Sequence, residues 1–285
     1  MKTRLKADLL LLLAAVIWGT AFAAQRVAAQ VGSVFMFNGL RFLIGILVLL
    51  PFAGLRWNFS RRDWATVLAA GMLLTAGSAL QQMGLQFTTA GNAGFITSVY
   101  VVLVPLGLFL GWREHPHGLA WVAALMALTG AFLLSTGGEF ALRPGDALEL
   151  AGTLFWTLHV IVVGKFAPRL DPIRFAAGQL LVASGLNLAA GLVFERSISI
   201  LQPAVFGGLI YVGVFSVGVA YTLQVIGQRQ TPPSDAALIL SLEGVTAALF
   251  GGWWLHETLL PVQLVGCALI FAAVFLAQAK EFRKK

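Results

Sequence analysis

The sequence is poor in charged residues and in cysteine. Only 11% of the 285 residues are Asp, Glu, Lys or Arg, whereas about a quarter of the residues in a soluble domain are charged. This scarcity excludes an ordinary water-soluble globular domain. The single cysteine, Cys267, excludes a disulfide framework or a thiolate metal site within one chain. The chain is instead 59% hydrophobic, with 21 Phe residues and a mean hydropathy of +0.86, which also excludes a disordered chain.

Long segments without any charged residue predict helices that cross a lipid bilayer. Residues 64–112 contain no Asp, Glu, Lys or Arg. Because a spanning helix needs about 20 apolar residues, this stretch holds two helices, joined by a turn at residues 87–92. The same criterion predicts an all-α integral membrane protein with ten transmembrane helices. The predicted spans are residues 8–25, 33–53, 64–84, 91–112, 118–136, 146–165, 174–194, 202–226, 233–255 and 261–279.

The distribution of Lys and Arg predicts which ends of the spans face the cytoplasm. With the N-terminus inside, 15 of the 19 Lys and Arg residues fall in cytoplasmic segments, three fall outside, and Arg41 lies within a span. Cytoplasmic loops carry such an excess, so we expect a multi-pass protein of the cell inner (cytoplasmic) membrane with both termini in the cytoplasm. The net charge of +7 then follows from topology and does not indicate a nucleic-acid partner.

The two halves of the chain resemble each other, and each half has an odd number of spans. Asp8 precedes Trp18 by ten residues, as Asp146 precedes Trp156, which gives an offset of 138. Further along, the offset is 143, with matches at Leu80/Leu223, Gln81/Gln224, Gly84/Gly227, Thr88/Thr231, Ala93/Ala236, Ile96/Ile239, Ser98/Ser241 and Glu114/Glu257. We therefore predict two five-helix domains, residues 1–140 and 141–285, which enter the membrane from opposite sides. Such inverted-topology repeats are the architecture of many secondary transporters, whose substrates bind near the midplane between the repeats.

Several short stretches resemble the EamA-type branch of the drug/metabolite transporter superfamily. They are residues 14–19 (Ala-Ala-Val-Ile-Trp-Gly), 40–42 (Leu-Arg-Phe), 241–243 (Ser-Leu-Glu) and 255–259 (Leu-His-Glu-Thr-Leu). The resemblance covers nearly the whole chain. It implies a ten-helix exporter of small metabolites, a group that includes bacterial exporters of amino acids, some of them aromatic. One departure is Gly244, where family members often have Pro, so the resemblance implies a softer kink in the ninth span.

Three ionisable residues lie deep within predicted spans and are candidates for substrate binding. Glu243 lies almost midway along span 233–255, Arg41 lies near the middle of span 33–53, and His159 lies one turn from Trp156. A charge inside a bilayer is costly, so such residues normally face a cavity or a partner. We expect Arg41 and Glu243 to meet the carboxylate and the ammonium of a zwitterion. The alternative is that they neutralise each other or nearby carbonyls, and for His159 a structural role is the favoured alternative.

Polar residues recur at helical spacing on one face of the third span and on one face of the eighth. The two sets are Thr75, Ser78, Gln82 and Gln86, and Tyr221, Gln224 and Gln228. A polar face turned to lipid would be costly, so both faces should point inward. We predict that Ser78, Gln82, Tyr221 and Gln224 line the substrate site, and the alternative is hydrogen bonding between helices.

Aromatic residues within the spans predict the walls of the site. Trp18 and Trp156 occupy equivalent places in the two halves, and Tyr100 is the counterpart of Glu243. Together with Tyr221, these rings suit a flat or bulky apolar group by stacking and an ammonium group by cation–π attraction. The alternative is aromatic packing without a substrate.

Together these patterns predict a transporter and not an enzyme. No Gly-rich Walker loop occurs, so ATP does not drive it directly, and no cofactor or metal site is predicted. We expect a secondary active or facilitative carrier that exports small amphipathic metabolites, foremost amino acids, by alternating access. The expected partners are a small-molecule substrate, membrane lipid and, as the candidate coupling ion, protons; the expected state is a monomer or a weak homodimer. The alternatives are a same-fold carrier of drugs, nucleosides or sugars, a non-transporting scaffold or channel, and an intramembrane enzyme. The last lacks a nucleophile–base pair or a His-x-x-x-His spacing.

Overall fold

The regular secondary structure of the described residues is helical. The computed structural model describes residues 2–30, 33–54, 57–139, 141–195, 202–254 and 259–282. A 3₁₀ turn, Ala167–Arg169, follows α7, and a π-helical segment, Val212–Ala220, joins α9 to α10. The α-helices are α1 (Lys2–Gln30), α2 (Phe35–Ala53), α3 (Arg61–Gly84), α4 (Ala90–Ser98), α5 (Tyr100–Trp112), α6 (Gly118–Thr136), α7 (Asp146–Phe166), α8 (Pro172–Phe194), α9 (Pro203–Tyr211), α10 (Tyr221–Gln228), α11 (Pro233–Leu240), α12 (Leu242–Trp254) and α13 (Pro261–Phe282).

The predicted membrane spans correspond to these helices. Within the described residues, nine helical segments are long and apolar enough to cross a membrane, and α13 adds the shorter apolar stretch Pro261–Ala277. The predicted all-α membrane fold is thereby confirmed. The predicted end of the ninth span, residue 255, lies outside the described residues.

Capping residues explain where several helices begin and end. At the start of α3, the Asp63 N–H donates to the Ser60 hydroxyl and the Ser60 N–H donates to the Asp63 carboxylate, which is a capping box. Asp171 accepts from the Arg174 N–H at the start of α8. Gly137, with φ +66°, ends α6, because glycine adopts this left-handed conformation without a steric cost.

The fourth and ninth spans are each broken near the middle, at matching places in the two halves. The breaks fall at Val99, between α4 and α5, and at Ser241, between α11 and α12. Around them the backbone tightens: the Val99 N–H donates to the carbonyl three residues earlier at 3.2 Å, and the Gly244 N–H does so at 3.3 Å. The breaks place Tyr100 and Glu243, which are counterparts at the offset of 143, in the first turns of α5 and α12.

Contacts between the two halves come in reciprocal pairs. Helix α1 packs on α10 as α7 packs on α3, and α1 packs on α12 as α7 packs on α5. The pairs α2–α8 and α6–α13 are each their own counterpart. At the α6–α13 crossing, a Cβ on Gly130 would lie 2.7 Å from the Gly266 oxygen, and one on Gly266 would lie 2.6 Å from the Gly130 oxygen. Glycine at both positions therefore allows these two backbones to approach closely.

Two hydrogen bonds show the same reciprocity. The Thr231 hydroxyl donates to Asp8 at 2.7 Å, and the Thr88 hydroxyl donates to Asp146 at 2.5 Å. The first helix of each half thus holds the turn between the third and fourth spans of the other half. Exchanged contacts of this kind relate the halves by an approximate two-fold axis, as an inverted repeat of five spans requires. The domain boundary between residues 140 and 141 stays a prediction, and residue 140 lies outside the described part of the chain.

Candidate functional site

A cavity of about 600 Å³, its mouth included, lies between the two halves. The lining residues are Trp18, Phe22, Gln25, Arg41, Gln81, Thr97, Tyr100, Trp156, His159, Val160, Ser216, Tyr221, Gln224, Leu240 and Glu243.

Much of the cavity wall consists of equivalent residues from the two halves. The pairs are Trp18/Trp156 and Phe22/Val160 at the offset of 138, and Gln81/Gln224, Thr97/Leu240 and Tyr100/Glu243 at the offset of 143. Five further lining residues have no counterpart in the wall: Gln25, Arg41, His159, Ser216 and Tyr221. The cavity is therefore symmetric in framework and asymmetric in polar chemistry.

Arg41 supplies a buried cation at the cavity. It is 4% exposed, and its Nη1 donates to the Gln25 Oε1 at 2.5 Å. Its guanidinium carbon lies 5.6 Å from the ring centre of Phe37 and 5.2 Å from that of Phe42, distances suited to cation–π attraction. The Arg41 Nε has no hydrogen-bond partner among the described residues, so the hydrogen-bonding capacity of the guanidinium is only partly used within them.

Glu243 lines the same cavity without neutralising Arg41. The carboxyl group lies in the first turn of α12, directly after the break in the ninth span, and the residue is 9% exposed. Arg41 and Glu243, both in the described part of the chain, form no ion pair with each other. The alternative in which these two residues neutralise each other is thus absent from this conformation.

A row of rings crosses the cavity wall. The ring centres are 5.0 Å apart for Trp18 and Tyr221, 6.1 Å for Tyr221 and His159, and 6.2 Å for His159 and Trp156. One His159 ring nitrogen lies 2.9 Å from the Gln179 Oε1, which fixes the imidazole in the row. The arrangement offers apolar ring faces between two charged groups.

The two equivalent tryptophans differ in their hydrogen bonds. The Trp18 Nε1 donates to the Ser216 carbonyl oxygen in the π-helical segment at 2.9 Å. The Trp156 Nε1, by contrast, has no partner among the described residues, and neither has the Gln224 Oε1. Buried polar groups are normally hydrogen-bonded, so an unpaired donor on one lining residue and an unpaired acceptor on another are exceptions in this wall.

Ser78 and Gln82, also predicted to line the site, lie elsewhere. Both are fully buried; the Ser78 hydroxyl donates to the Thr75 carbonyl at 3.1 Å, and the Gln82 amide donates to the Gln25 carbonyl at 2.9 Å. These contacts belong to helix packing. The neighbouring Gln81 lines the cavity instead.

Seven lining residues were not among the sequence predictions: Phe22, Gln25, Gln81, Thr97, Val160, Ser216 and Leu240. The internal repeat carries a signal for Gln81, because its counterpart Gln224 was predicted to line the site. Thr97 and Leu240 are counterparts of each other, and each lies one helical turn before a residue that was predicted, Tyr100 or Glu243. Nothing in the sequence marks Ser216, which reaches the cavity through the π-helical segment.

The cavity wall combines several kinds of chemical group. Among the described residues, no group of three or more His, Cys, Asp or Glu side chains is arranged to hold a metal ion. The lining includes a cation, a carboxyl group, amides and aromatic rings, which are groups able to interact with the charged and apolar parts of a small molecule.

Comparisons with known proteins agree with this reading. The model of the EamA-like transporter family matches residues 5–136 and again residues 143–278. An uncharacterized transporter of Archaeoglobus fulgidus is 37% identical over 277 residues, which cover 97% of this chain and 87% of that protein. The threonine/homoserine exporter RhtA of Escherichia coli is 26% identical over 274 residues, 93% of this chain and 88% of the exporter.

A solved crystal structure has the same fold. It aligns with a TM-score of 0.81 at 20% identity and covers 98% of both chains. The family match covers nearly all of the sequence in two consecutive parts, and the described helices form a cavity between the two halves. The chain belongs to the EamA-like transporter family, and it is a multi-pass membrane protein that carries a small molecule.

Proposed function

We propose that this transporter exports amino acids by alternating access. A cavity between two reciprocally packed halves can open to one side of the membrane and then to the other as the halves exchange conformations. RhtA, an exporter of threonine and homoserine, aligns with 93% of this chain and supports the substrate class.

The observation that carries the proposal is the unpaired placement of opposite charges in one cavity. Arg41 and Glu243 both line it, and neither forms an ion pair with the other. Two buried charges that lack a partner of opposite charge are costly. A zwitterion completes both, with its carboxylate at Arg41 and its ammonium at Glu243.

The remaining wall determines how the rest of the substrate is held. The Trp156 Nε1 and the Gln224 Oε1 offer one free donor and one free acceptor. The rings of Trp18 and Tyr221 offer an apolar surface beside them. We infer that the amino-acid side chain packs against these rings while the amide and indole groups orient the backbone part of the substrate.

The sequence also supports a proposal for the cellular setting. The excess of Lys and Arg in alternate loops supports an inner-membrane protein with cytoplasmic termini. We propose protons as the coupling ion, with Glu243 as a carboxyl group that reaches the cavity, and a monomer or weak homodimer as the working form, since one chain contains both halves.

The test is transport by the purified protein in proteoliposomes. Threonine, homoserine, phenylalanine and tryptophan would be compared with their methyl esters, which lack the carboxylate, and with their N-acetyl derivatives, which lack the ammonium. We expect saturable transport of at least one free amino acid and of none of the blocked forms. Transport of nucleosides, sugars or cationic drugs without any amino acid would overturn the proposal.

Two variants assign the charges. Arg41→Gln and Glu243→Gln should each reduce binding of a zwitterion by about 10-fold or more, since a hydrogen bond to a charged group contributes about 1.5–3 kcal/mol. Arg41→Gln should weaken the binding of a methyl ester much less than the binding of the free amino acid. Glu139→Gln, which changes an exposed carboxylate, is the control and should match the parent.

A further inference from the structure

A fourth ionisable side chain is buried in the membrane-spanning region, outside the cavity. Glu149 lies in the first turn of α7 and is 1% exposed. Neither of its carboxyl oxygens has a hydrogen-bond partner among the described residues. This differs from Glu243, which lines the cavity and can be reached from it.

The backbone of α3 closes over the Glu149 carboxyl group. A Cβ placed on Gly84 would lie 2.7 Å from the Glu149 Oε1, so the two helices touch at this point with no room for a side chain. The contact lies beside the hydrogen bond between Thr88 and Asp146, at the end of the molecule that the charge distribution places outside the cell. Closure of this end therefore seals Glu149.

The other half of the protein shows that the fold does not need a carboxyl group here. The counterpart of Gly84 is Gly227, and a Cβ on Gly227 would lie 2.6 Å from the Leu11 Cγ. Leu11 is the counterpart of Glu149 at the offset of 138. The same helix contact is thus made by leucine at one end of the molecule and by an unpaired acid at the other.

Among the described residues, no basic side chain pairs with Glu149. On its own helix, Asp146 lies three residues earlier and is occupied by Thr88 and by the Arg143 N–H. From α1, Arg26 donates to the Thr88 carbonyl oxygen. Helix α4 contains no charged residue, and those of α3, at 61–63, lie at its opposite end.

Glu149 also lies on the cavity-facing side of α7. Residues 149, 153, 156 and 160 recur at helical spacing, and Trp156 and Val160 line the cavity. Seven residues of helix rise correspond to about 10 Å. The acid is therefore two turns away from the substrate site on the same helix face, where movement of α3 relative to α7 would expose it.

We propose that Glu149 is a proton-binding site, and that α3 and α7 close over it only when it carries a proton. An unpaired carboxylate is much more costly to bury than the neutral acid. When this end of the transporter opens, water reaches the group and the proton exchanges with the solution on that side. The proposal rests on the proposed transport function for its role in the cycle, and not for the proton binding itself.

The first test is thermal unfolding of the purified protein in detergent from about pH 5.5 to about pH 8.5. The folded form holds a proton that the unfolded chain releases, so stability of the parent should fall as the pH rises. Glu149→Gln and Glu149→Leu, the latter copying the opposite half, should make this dependence less steep by the contribution of one proton, whereas Glu139→Gln should keep it. The proposal is overturned if the Gln and Leu variants retain the parent's slope.

The second test is amino-acid exchange in proteoliposomes with equal pH on both sides. Exchange by the parent should slow by up to about tenfold per pH unit at alkaline pH, because closure needs a proton, while Glu149→Gln should slow distinctly less over the same range. Absence of exchange in the parent would count against the proposed function and leave the unfolding result to decide on Glu149. Exchange with the same pH profile in parent and Gln variant would overturn the gating role.

Discussion

At the scale of single residues, the two equivalent tryptophans allow binding to be separated from folding. The Trp18 indole donates to the Ser216 carbonyl, whereas the Trp156 indole has no partner among the described residues. Trp18→Phe should therefore lower the free energy of unfolding by about 1 kcal/mol, the usual net value of one hydrogen bond. Trp156→Phe should leave stability near that of the parent and weaken amino-acid binding by roughly fivefold.

Thermal unfolding with and without substrate measures both effects in one experiment. The two substitutions remove the same atoms from the same place in each half, so each variant serves as the control for the other. Equal losses of stability in both variants would show that the Trp156 N–H is bonded within the protein and is not held for a substrate.

The glutamines of the third span show how far a sequence pattern can resolve a site. Helical spacing predicts that a polar face turns inward, and Gln81 and Gln82 are both buried in the structure. Adjacent residues differ by about 100° on a helix, so spacing alone does not decide which of the two meets the cavity. The internal repeat does favour Gln81, because its counterpart Gln224 lies in the same wall.

At the scale of helices, hydropathy predicts the spans but not their internal breaks. No proline lies at either break, at Val99 or at Ser241. The hydropathy of the sequence does not predict the π-helical segment 212–220 either. The two breaks and the π-helical segment depend on backbone hydrogen bonds that form when the helices pack. The composition of a span therefore does not predict them.

Helix α2 is capped at both ends by side chains at the two ends of α8: Glu195, the residue directly after α8, and Arg174 in its first turn. At its start, the Glu195 carboxylate accepts from three consecutive N–H groups, those of Val34, Phe35 and Met36, at 2.7, 2.7 and 2.9 Å. At its end, the Arg174 Nε donates to a carbonyl oxygen, that of Ala53, at 3.3 Å. A carboxylate at the start of a helix and a cation at its end are both favourable to the helix dipole, so the α2–α8 pair is fastened as one antiparallel unit.

The Glu195 cap predicts a measurable loss of stability when its charge is removed. Glu195→Gln should lower the free energy of unfolding by about 1–2 kcal/mol, because an amide oxygen replaces a charged acceptor at unsatisfied helix N–H groups. Chemical or thermal unfolding in detergent measures it. Glu139→Gln, at an exposed carboxylate on the same predicted side of the membrane, should change stability by less than about 0.5 kcal/mol, and equal losses in the two variants would argue against the cap.

At the scale of the whole molecule, the two halves combine equal frameworks with unequal chemistry. Reciprocal bonds, Thr231 to Asp8 and Thr88 to Asp146, hold opposite ends of the protein closed in the same way. Polar groups that break the symmetry, such as Arg41 and His159, lie at the shared cavity. An approximate two-fold framework lets either end open with similar contacts, while the asymmetric wall binds a substrate that has a carboxylate at one end and an ammonium at the other.

Orientation in the membrane is the remaining property of the whole chain that the sequence predicts. Cys267 is the only cysteine, so a Cys267→Ala variant provides a background for single reporters. Two exposed loop positions, His115 and Leu142, fall on opposite predicted sides. In intact cells, a membrane-impermeant maleimide should label Leu142→Cys at once and His115→Cys only after the membrane is permeabilised.

The expected orientation has an electrostatic cause. Fifteen of the 19 Lys and Arg residues fall on the side assigned to the cytoplasm, and each positive charge near a span end resists transfer across the membrane during insertion. Reversed labelling of the two positions would invert the assignment and place the buried Glu149 at the cytoplasmic end. Immediate labelling of both would mean that an even number of spans separates them, which would contradict the five-helix halves on which the reciprocal packing depends.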